Sequence, residues 1–477
     1  MNCYKKQEKL VIMIKRFNEY NNFQLFCVLV FFYLLSRFFL NYAGIITDPN
    51  MIVNMWQIMD LNLLNNNFLS SLYFLHYQPP MWNFILGIMV KLNGPDYLKL
   101  SNSIFYFNIF LSIVSIWIFI LICKIFELKN TYIFYFSLVF ITLSLSYFFY
   151  ENYTHYTHLT TLIFILLIYN YLKFSENNYI KYEFYIYLIA TILVYTWSAF
   201  SHPLFIVLIF ITILIIKNRI NFLRSFLLFT IFFIVAILPS IKNKVEVNFF
   251  GNSSWIGFQT IQTLYAWDVL DGNCVMNYQI NKKFEDDYLD KYPKFNNSHP
   301  SLIGDKSKWN NVGTVYLTKK CLKKSIDIVI KDPLNYINKV KFNFISTHGH
   351  YSFDHGFKPL NWEKYFGFID KVKDFNFTNS IKVRSLQLYY LTLYIFFGIS
   401  ILKALKNIFK PDLCRIEKVF ASIFLIFLWM IILTHFFAAY EHERMRHIGH
   451  FMHLLFFIIL IKEKFKIKNI FSLKNEI

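Results

Sequence analysis

The chain has 477 residues and a formal net charge of +19, and 56% of it is hydrophobic and 21% aromatic, against 16% charged. Length alone would allow two or three soluble domains, but this composition excludes them. Phe, Ile and Leu come in runs broken by short Lys/Arg clusters, the pattern of an all-α polytopic membrane protein. The basic residues flank the apolar runs and mark the cytoplasmic side of a membrane, so nucleic acid is not the expected partner.

The start, MNCYKKQEKLVIMIKRF, is basic, and no small-residue cleavage site follows its first apolar run. An uncleaved span is expected there, not a removed signal peptide. That span runs from about Phe23 to Tyr42, with Lys5, Lys6, Lys9, Lys15 and Arg16 holding the N-terminus on the cytoplasmic side. The polar stretch from Thr47 to Asn83 then leaves the bilayer. Asp48 stands before Pro49 and suits a helix cap. From Met51 to Leu64 apolar residues recur at helical spacing, which predicts an amphipathic helix on the membrane surface, with Asp60 on its polar face. His76-Tyr-Gln-Pro-Pro-Met-Trp-Asn83 follows. Two prolines fix an extended entry and then start a helix, which holds His76 and Gln78 beside the surface helix.

Pro80 to Leu92 is apolar but short for a span, and it sets the topology. If it dips in and returns, the later spans are roughly 101–123, 131–149, 157–173, 183–200, 204–216, 225–241, 386–402, 419–438 and 448–461. The Lys/Arg clusters at 124–129, 173–181, 217–224 and 403–418, and the tail, then all face the cytoplasm, while the loops at 150–156 and 200–203 carry no Lys or Arg. If it crosses, every cluster faces outward. The positive-inside bias selects the re-entrant reading, with about ten crossings. Asp48, His76, Glu151, His202 and the run from Glu441 to Arg446 then share the non-cytoplasmic side.

The chain divides into an N-terminal transmembrane module at 1–241, including a first external loop at 43–100, an external segment at 242–385, and C-terminal helices with a cytoplasmic tail at 386–477. In the external segment, Phe250 to Gly257 reads as a loop and Lys282 to Pro300 as irregular. Thr318 to Ser346 reads as one or two amphipathic helices broken at Asp332-Pro333. Cys274 and Cys321 lie in this segment, where they either form one disulfide in an oxidising compartment or remain free thiols.

Several clusters could carry chemistry. Asp48, at the outer end of the first span, is either a cap or an acid/base. Glu151, His155 and His158 fall within eight residues between two apolar spans, where such groups are costly; they shape a polar cleft or bind a divalent metal. His202-Pro203 ends another span and reads as a helix-breaking turn or a site residue. His348, His350, Asp354 and His355 have ligand-like spacing in a loop. Arg444 and Arg446 sit on the outer side before the last span, against the charge trend. An anionic ligand gripped by their planar donors accounts for them, as does pairing with Glu441 and Glu443.

On Asp48, Pro79-Pro80, Glu151 and Arg444-Met-Arg446, the chain resembles the C-type (GT-C) membrane glycosyltransferases, closest to the protein O-mannosyltransferase and aminoarabinose-transferase group. The match covers about the first 240 residues well and the last 90 loosely. It departs from the family in two places: Asp48 is followed by Pro49 where paired acids are common, and Gln78 precedes the prolines where Lys is common. The resemblance implies a GT-C-like helix bundle whose donor is a sugar on a polyprenyl phosphate and whose acceptor is a hydroxyl of a glycan, lipid or protein. Asp48 would be the general base of an inverting transfer. Arg444 or Arg446, with His76, would stabilise the leaving phosphate. Glu151 would orient the acceptor or hold a divalent metal. Gln78, Asp60, His155 and His202 would contact substrate. The compartment implied is a bacterial inner membrane with the site facing the periplasm. Two other classes stand beside it. One is a transporter or flippase of lipid-linked saccharides, which calls for mid-span ionisable groups and broken helices. The other is an O-antigen polymerase- or ligase-like enzyme, against which the early Asp48 loop argues.

Overall fold

Apolar runs this long can satisfy their backbone polar groups in lipid only by folding on themselves, and among the described residues every regular element is helical. The structure is a computed structural model. It describes residues 19–42, 52, 58–142, 145–152, 154–177, 179–216, 222–255, 278–292, 299–304, 307 and 310–340, with isolated positions from 418 to 432 and at 448. The helices are α1 (Asn22–Tyr42), α2 (Leu61–Asn66), α3 (Phe68–Tyr73), α4 (Met81–Asn93), α5 (Tyr97–Ile125) and α6 (Asn130–Ser137). A π-turn follows at Leu138–Thr142, and then α7 (Leu145–Glu151), α8 (Thr157–Asn177), α9 (Ile180–Thr196), α10 (Leu204–Ile216), α11 (Phe222–Val247), α12 (Tyr278–Lys291) and α13 (Val312–Lys331).

Among the described residues four helices are long and apolar enough to cross a membrane: α1, α5, α8 over Thr157–Glu176, and α11. α8 is central, with 83% of its apolar window buried, against 22% for α1 and 17% for α11, whose outward faces remain apolar and exposed. α8 packs on α5 and α9, α9 on α10 and α11, and α1 on α5. α11 carries Pro239 in its interior. Proline has no N–H for the carbonyl four residues earlier, and Tyr195 Oη donates to that Val235 carbonyl at 2.8 Å instead. The described positions from 418 to 432 are helical and lie on α10, where Ser422 Oγ donates to the Thr212 carbonyl.

Side-chain contacts identify the two ends of the bundle. At one, Asn130 Nδ2 donates to the Tyr20 carbonyl and Arg224 pairs with Glu183. At the other, Asn252 Nδ2 donates to the Ser201 carbonyl, and Glu151 meets Asn108 and Ser112 of α5. The stretch of α5 before Asn108 therefore extends beyond Glu151. α4 starts beside the His76 loop and ends with Asn93 Nδ2 on Ser103 Oγ, so both its ends lie at the Glu151 end of the bundle. It is one helix of 13 residues, about 20 Å long, with no returning turn. Trp82, Asn83, Leu86, Gly87 and Val90 are buried, while Phe84, Ile88 and Leu92 are exposed.

The surface helix thus differs from the expectation at Met51 to Leu64. Ile52 is helical and residues 58–60 are not, so α2 begins only at Leu61; Met51 and residues 53–57 lie outside the described residues. The Asp60 carboxylate accepts from the backbone N–H groups of Asn62 and Leu63, and this cap sets the start. α4 takes the place of the expected re-entrant loop.

Residues after α11 build a small second core with Val247: Phe249, Tyr288, Leu302, Val312 and Val315, with Phe74 of the loop before α4 packed against it. The expectation of irregular chain from Lys282 to Pro300 is corrected as far as Lys291; residues 293–298 lie outside the described residues. α12 runs to Lys291, with Tyr288 in this core and Phe284, one turn earlier, buried against Tyr316 at its edge. α13 starts at Val312, where Asn311 caps Gly313 N, and ends at the expected Asp332-Pro333 break, with residues 333–340 helical beyond it. Cys321 is buried and disulfide-bonded; Cys274 lies outside the described residues.

Candidate functional site

Residues 58–83 fold between the bundle end and the cap. His76 fastens them. Its backbone N–H donates to Asn310 Oδ1 at 2.9 Å, and its carbonyl accepts from Ser254 N at 2.8 Å. A carbonyl can only accept, so Nε2 carries the ring proton and donates to the Asn310 carbonyl, leaving Nδ1 to accept from Ser254 Oγ, both at 2.8 Å. Burial, with Lys242 nearby, pushes the His76 pKa down to about 3, so the ring is neutral. Lys242 Nζ holds the same loop through the carbonyls of Tyr73 and Leu75. Asn83 Oδ1 accepts from Met59 N, and Ser253 Oγ donates to the Tyr77 carbonyl.

Inside this clamp lies Gln78. It is 2% exposed, and among the described residues neither its amide nitrogen nor its amide oxygen has a hydrogen-bond partner. Trp82 Nε1, in the first turn of α4, and Thr154 Oγ1, at the entry to α8, are likewise buried with no partner among the described residues. A buried amide left without partners costs roughly 1–3 kcal/mol. The Pro79-Pro80 pair stiffens the backbone between Gln78 and α4, because both φ angles are fixed.

Glu151 is fully buried at the end of α7. Arg37 of α1 grips it at two points, Nε to Oε2 at 2.6 Å and Nη2 to Oε1 at 3.0 Å. Tyr33 Oη donates to Oε1 at 2.5 Å, and Ser112 Oγ lies 2.9 Å from the same oxygen. The remaining donors of Arg37 go to Ser36 Oγ and to the carbonyls of Ile141 and Thr142, which the π-turn frees from the α-helical ladder. His158 Nε2 lies 2.6 Å from Ser112 Oγ and extends the network into α8. Every N–H of the guanidinium is thereby satisfied, as a buried charge requires.

Other expected residues fall elsewhere. Asp60 is a helix cap. His155 is buried, and its Nδ1 accepts from Thr157 N at the start of α8. His202 is exposed and plays the same part for Leu204 N, with burial of its ring lowering its pKa. His76, Gln78, Glu151, His155 and His202 all gather at one end of the bundle. Asp48, Arg444, Arg446 and the 348–355 cluster lie outside the described residues. Among the described residues no group of three His, Cys, Asp or Glu side chains is placed to hold a metal ion, so no step is derived through one.

Sequence reasoning missed Arg37, Ser112, Asn108, Trp82 and Thr154. Arg37 carried a signal, since a charge inside an apolar span calls for a buried partner. The polar positions of α5, Ser101, Asn108, Ser112 and Ser115, mark one buried face at helical spacing. No protein-family model, curated protein or solved structure matches the chain.

Proposed function

We propose that this protein is a membrane glycosyltransferase that moves a sugar from a polyprenyl-phosphate donor to an acceptor hydroxyl of a glycan, lipid or protein. In this reading a GT-C-like bundle of about ten spans sits in a bacterial inner membrane, with its site facing the periplasm. The observation that carries the reading is Gln78. A covered juxtamembrane loop keeps a buried amide whose donor and acceptor are both unspent among the described residues, which is what a sugar hydroxyl, itself both donor and acceptor, needs. The bonded Cys321 in the cap agrees with an oxidising compartment.

Asp48 takes the proton of the acceptor hydroxyl as its oxygen attacks the anomeric carbon from the face opposite the phosphate. The bond from that carbon to the phosphate oxygen breaks, and the lipid phosphate leaves with the electron pair, stabilised by Arg444 and Arg446. His76, neutral with both ring nitrogens engaged, holds the loop. Glu151, its oxygens taken by Arg37, Tyr33 and Ser112, fixes the geometry at the bundle end.

The test is transfer of label from a radiolabelled polyprenyl-phosphate sugar pool in membranes, comparing wild type with Asp48→Asn. Loss of transfer in a variant that still folds and inserts supports the base. Equal transfer by both leaves Asp48 a cap and ends this mechanism.

A second reading, a transporter or flippase of lipid-linked saccharides, is favoured by one feature. α6 passes into a π-turn, with α7 beyond it, beside the buried ionisable groups Arg37, Glu151 and His158. It predicts movement of the lipid-linked sugar across vesicles with no transfer of label.

A further inference from the structure

The cap carries charge and apolar surface that its own core does not use. α13 and the helix at residues 333–340 hold Lys319, Lys320, Lys323, Lys324, Lys331 and Lys339 against only Asp327 and Asp332. Two ammonium groups meet at the residue that follows α11: Lys319 Nζ donates to the Asn248 carbonyl at 2.5 Å, and Lys244 Nζ to Asn248 Oδ1 at 2.8 Å. Lys291 of α12 stands close enough to act on Lys319, whose pKa is lowered by burial and by the like charges of Lys244 and Lys291. α11 is long and apolar enough to cross a membrane and ends at Val247. The cluster therefore lies where that helix leaves the hydrocarbon, at the depth of lipid phosphates. Further along, Ile326 and Ile330 are 50% and 73% exposed one turn apart on α13. Beyond the break, Leu334 and Ile337 are 72% and 55% exposed, again one turn apart.

We propose that α13 and the following helix dock on the bilayer surface. Anionic phospholipid headgroups occupy the Lys244–Lys291–Lys319 cluster, and Ile326, Ile330, Leu334 and Ile337 enter the boundary with the acyl chains. Apolar residues rimmed by lysines are the composition of an interfacial helix. A second copy of this chain is the poorer occupant, because each copy carries a net charge of +19. Docking would tie the cap to the membrane at the end of α11, the helix whose Lys242 holds the His76 loop. It rests only on the apolar helices and would hold whether or not the protein transfers sugar.

The test is hydrogen–deuterium exchange of the full chain in nanodiscs of phosphatidylcholine alone and of phosphatidylcholine mixed with phosphatidylglycerol. Amides of residues 326–340 should exchange about tenfold more slowly on the anionic discs. High salt, the Lys244→Gln/Lys319→Gln pair and the Ile330→Ser/Leu334→Ser pair should each abolish the difference. The buried stretch Val312 to Leu317 reports whether each variant's cap is folded, and the salt response of the wild type decides the matter if a variant fails there. Equal exchange on both discs and in detergent overturns the proposal. So does protection that follows protein concentration instead of lipid charge, which would make the face a contact between copies.

Discussion

Arg37 and Glu151, 114 residues apart in the chain, form a two-point ion pair with both side chains almost fully buried, at 4% and 0% exposure. Such a pair is seldom a large net source of stability, because each ion loses its hydration. Its value is fixity: it ties α1 to the carbonyls of the π-turn and to the end of α7. Removing one partner leaves a naked charge, so Arg37→Met and Glu151→Gln should each destabilise by about 3–5 kcal/mol. The double variant should lose less than the sum of the two. Thermal unfolding in detergent measures this, and a strictly additive double variant would contradict the coupling. Arg37→Lys should not rescue, since an ammonium cannot span both carboxylate oxygens and three further acceptors.

Gln78→Leu separates a structural role from a binding role. The substitution removes two buried polar atoms that have no partners among the described residues, so the melting temperature should stay level or rise. Transfer, or whatever ligand-dependent activity is assayed, should fall by about tenfold or more, because the donor and acceptor for the ligand are gone. A drop in stability with activity intact would make Gln78 a packing residue.

His76 makes the clamp sensitive to acid. Its folded pKa is about 3, against roughly 6.5 for a free histidine. Below roughly 6.5 the unfolded chain takes up a proton that the folded chain refuses. The stability due to neutral His76 is therefore complete above that value and is lost as pH falls toward 3, with a slope of at most about 1.4 kcal/mol per pH unit. The melting temperature of the wild type should fall more steeply from pH 7 to pH 4 than that of His76→Gln. Parallel profiles would show that another group controls the acid response.

Asp60 should behave as a cap. Asp60→Ala should cost about 1 kcal/mol, and Asp60→Asn only a few tenths, because an amide oxygen caps nearly as well. Equal losses for the two would mean that the charge matters, not the cap.

Gly87 of α4 lies close against α3. A Cβ there would fall 1.9 Å from the ring of Phe68 on α3. Gly87→Ala should displace that ring, at about 1–3 kcal/mol, and shift the Phe68–Phe84 stack, visible as altered exchange in residues 61–73.

Much of the helical framework was legible because lipid leaves an apolar run few choices. The expected spans at about 23–42, 157–173, 204–216 and 225–241 each fall on or within an observed helix. The surface segment was harder. Met51 to Leu64 has helical spacing, yet Asp60 prefers to cap, and a local cap signal overrode the longer periodicity. α12 was obscured by its lysines and aspartates, which hid the Phe284–Tyr288 pair that holds it down. At the candidate site, the sequence pointed to His76, Gln78 and Glu151 but not to their partners. Nothing local connects Glu151 to Arg37 or His76 to Asn310; those pairings exist only after the bundle and cap have closed.

That closure bears on the order in which the molecule can be made. Ser254 and Asn310, which hold His76, lie 178 and 234 residues after it. During synthesis the loop that carries His76 is made long before either has been translated. It must wait, with Gln78 still open to water, until the later helices have been inserted and the cap has begun to fold. A chain stopped after α11 would carry its spans but not a finished loop, so insertion and assembly of the candidate site are separate events in the birth of this protein.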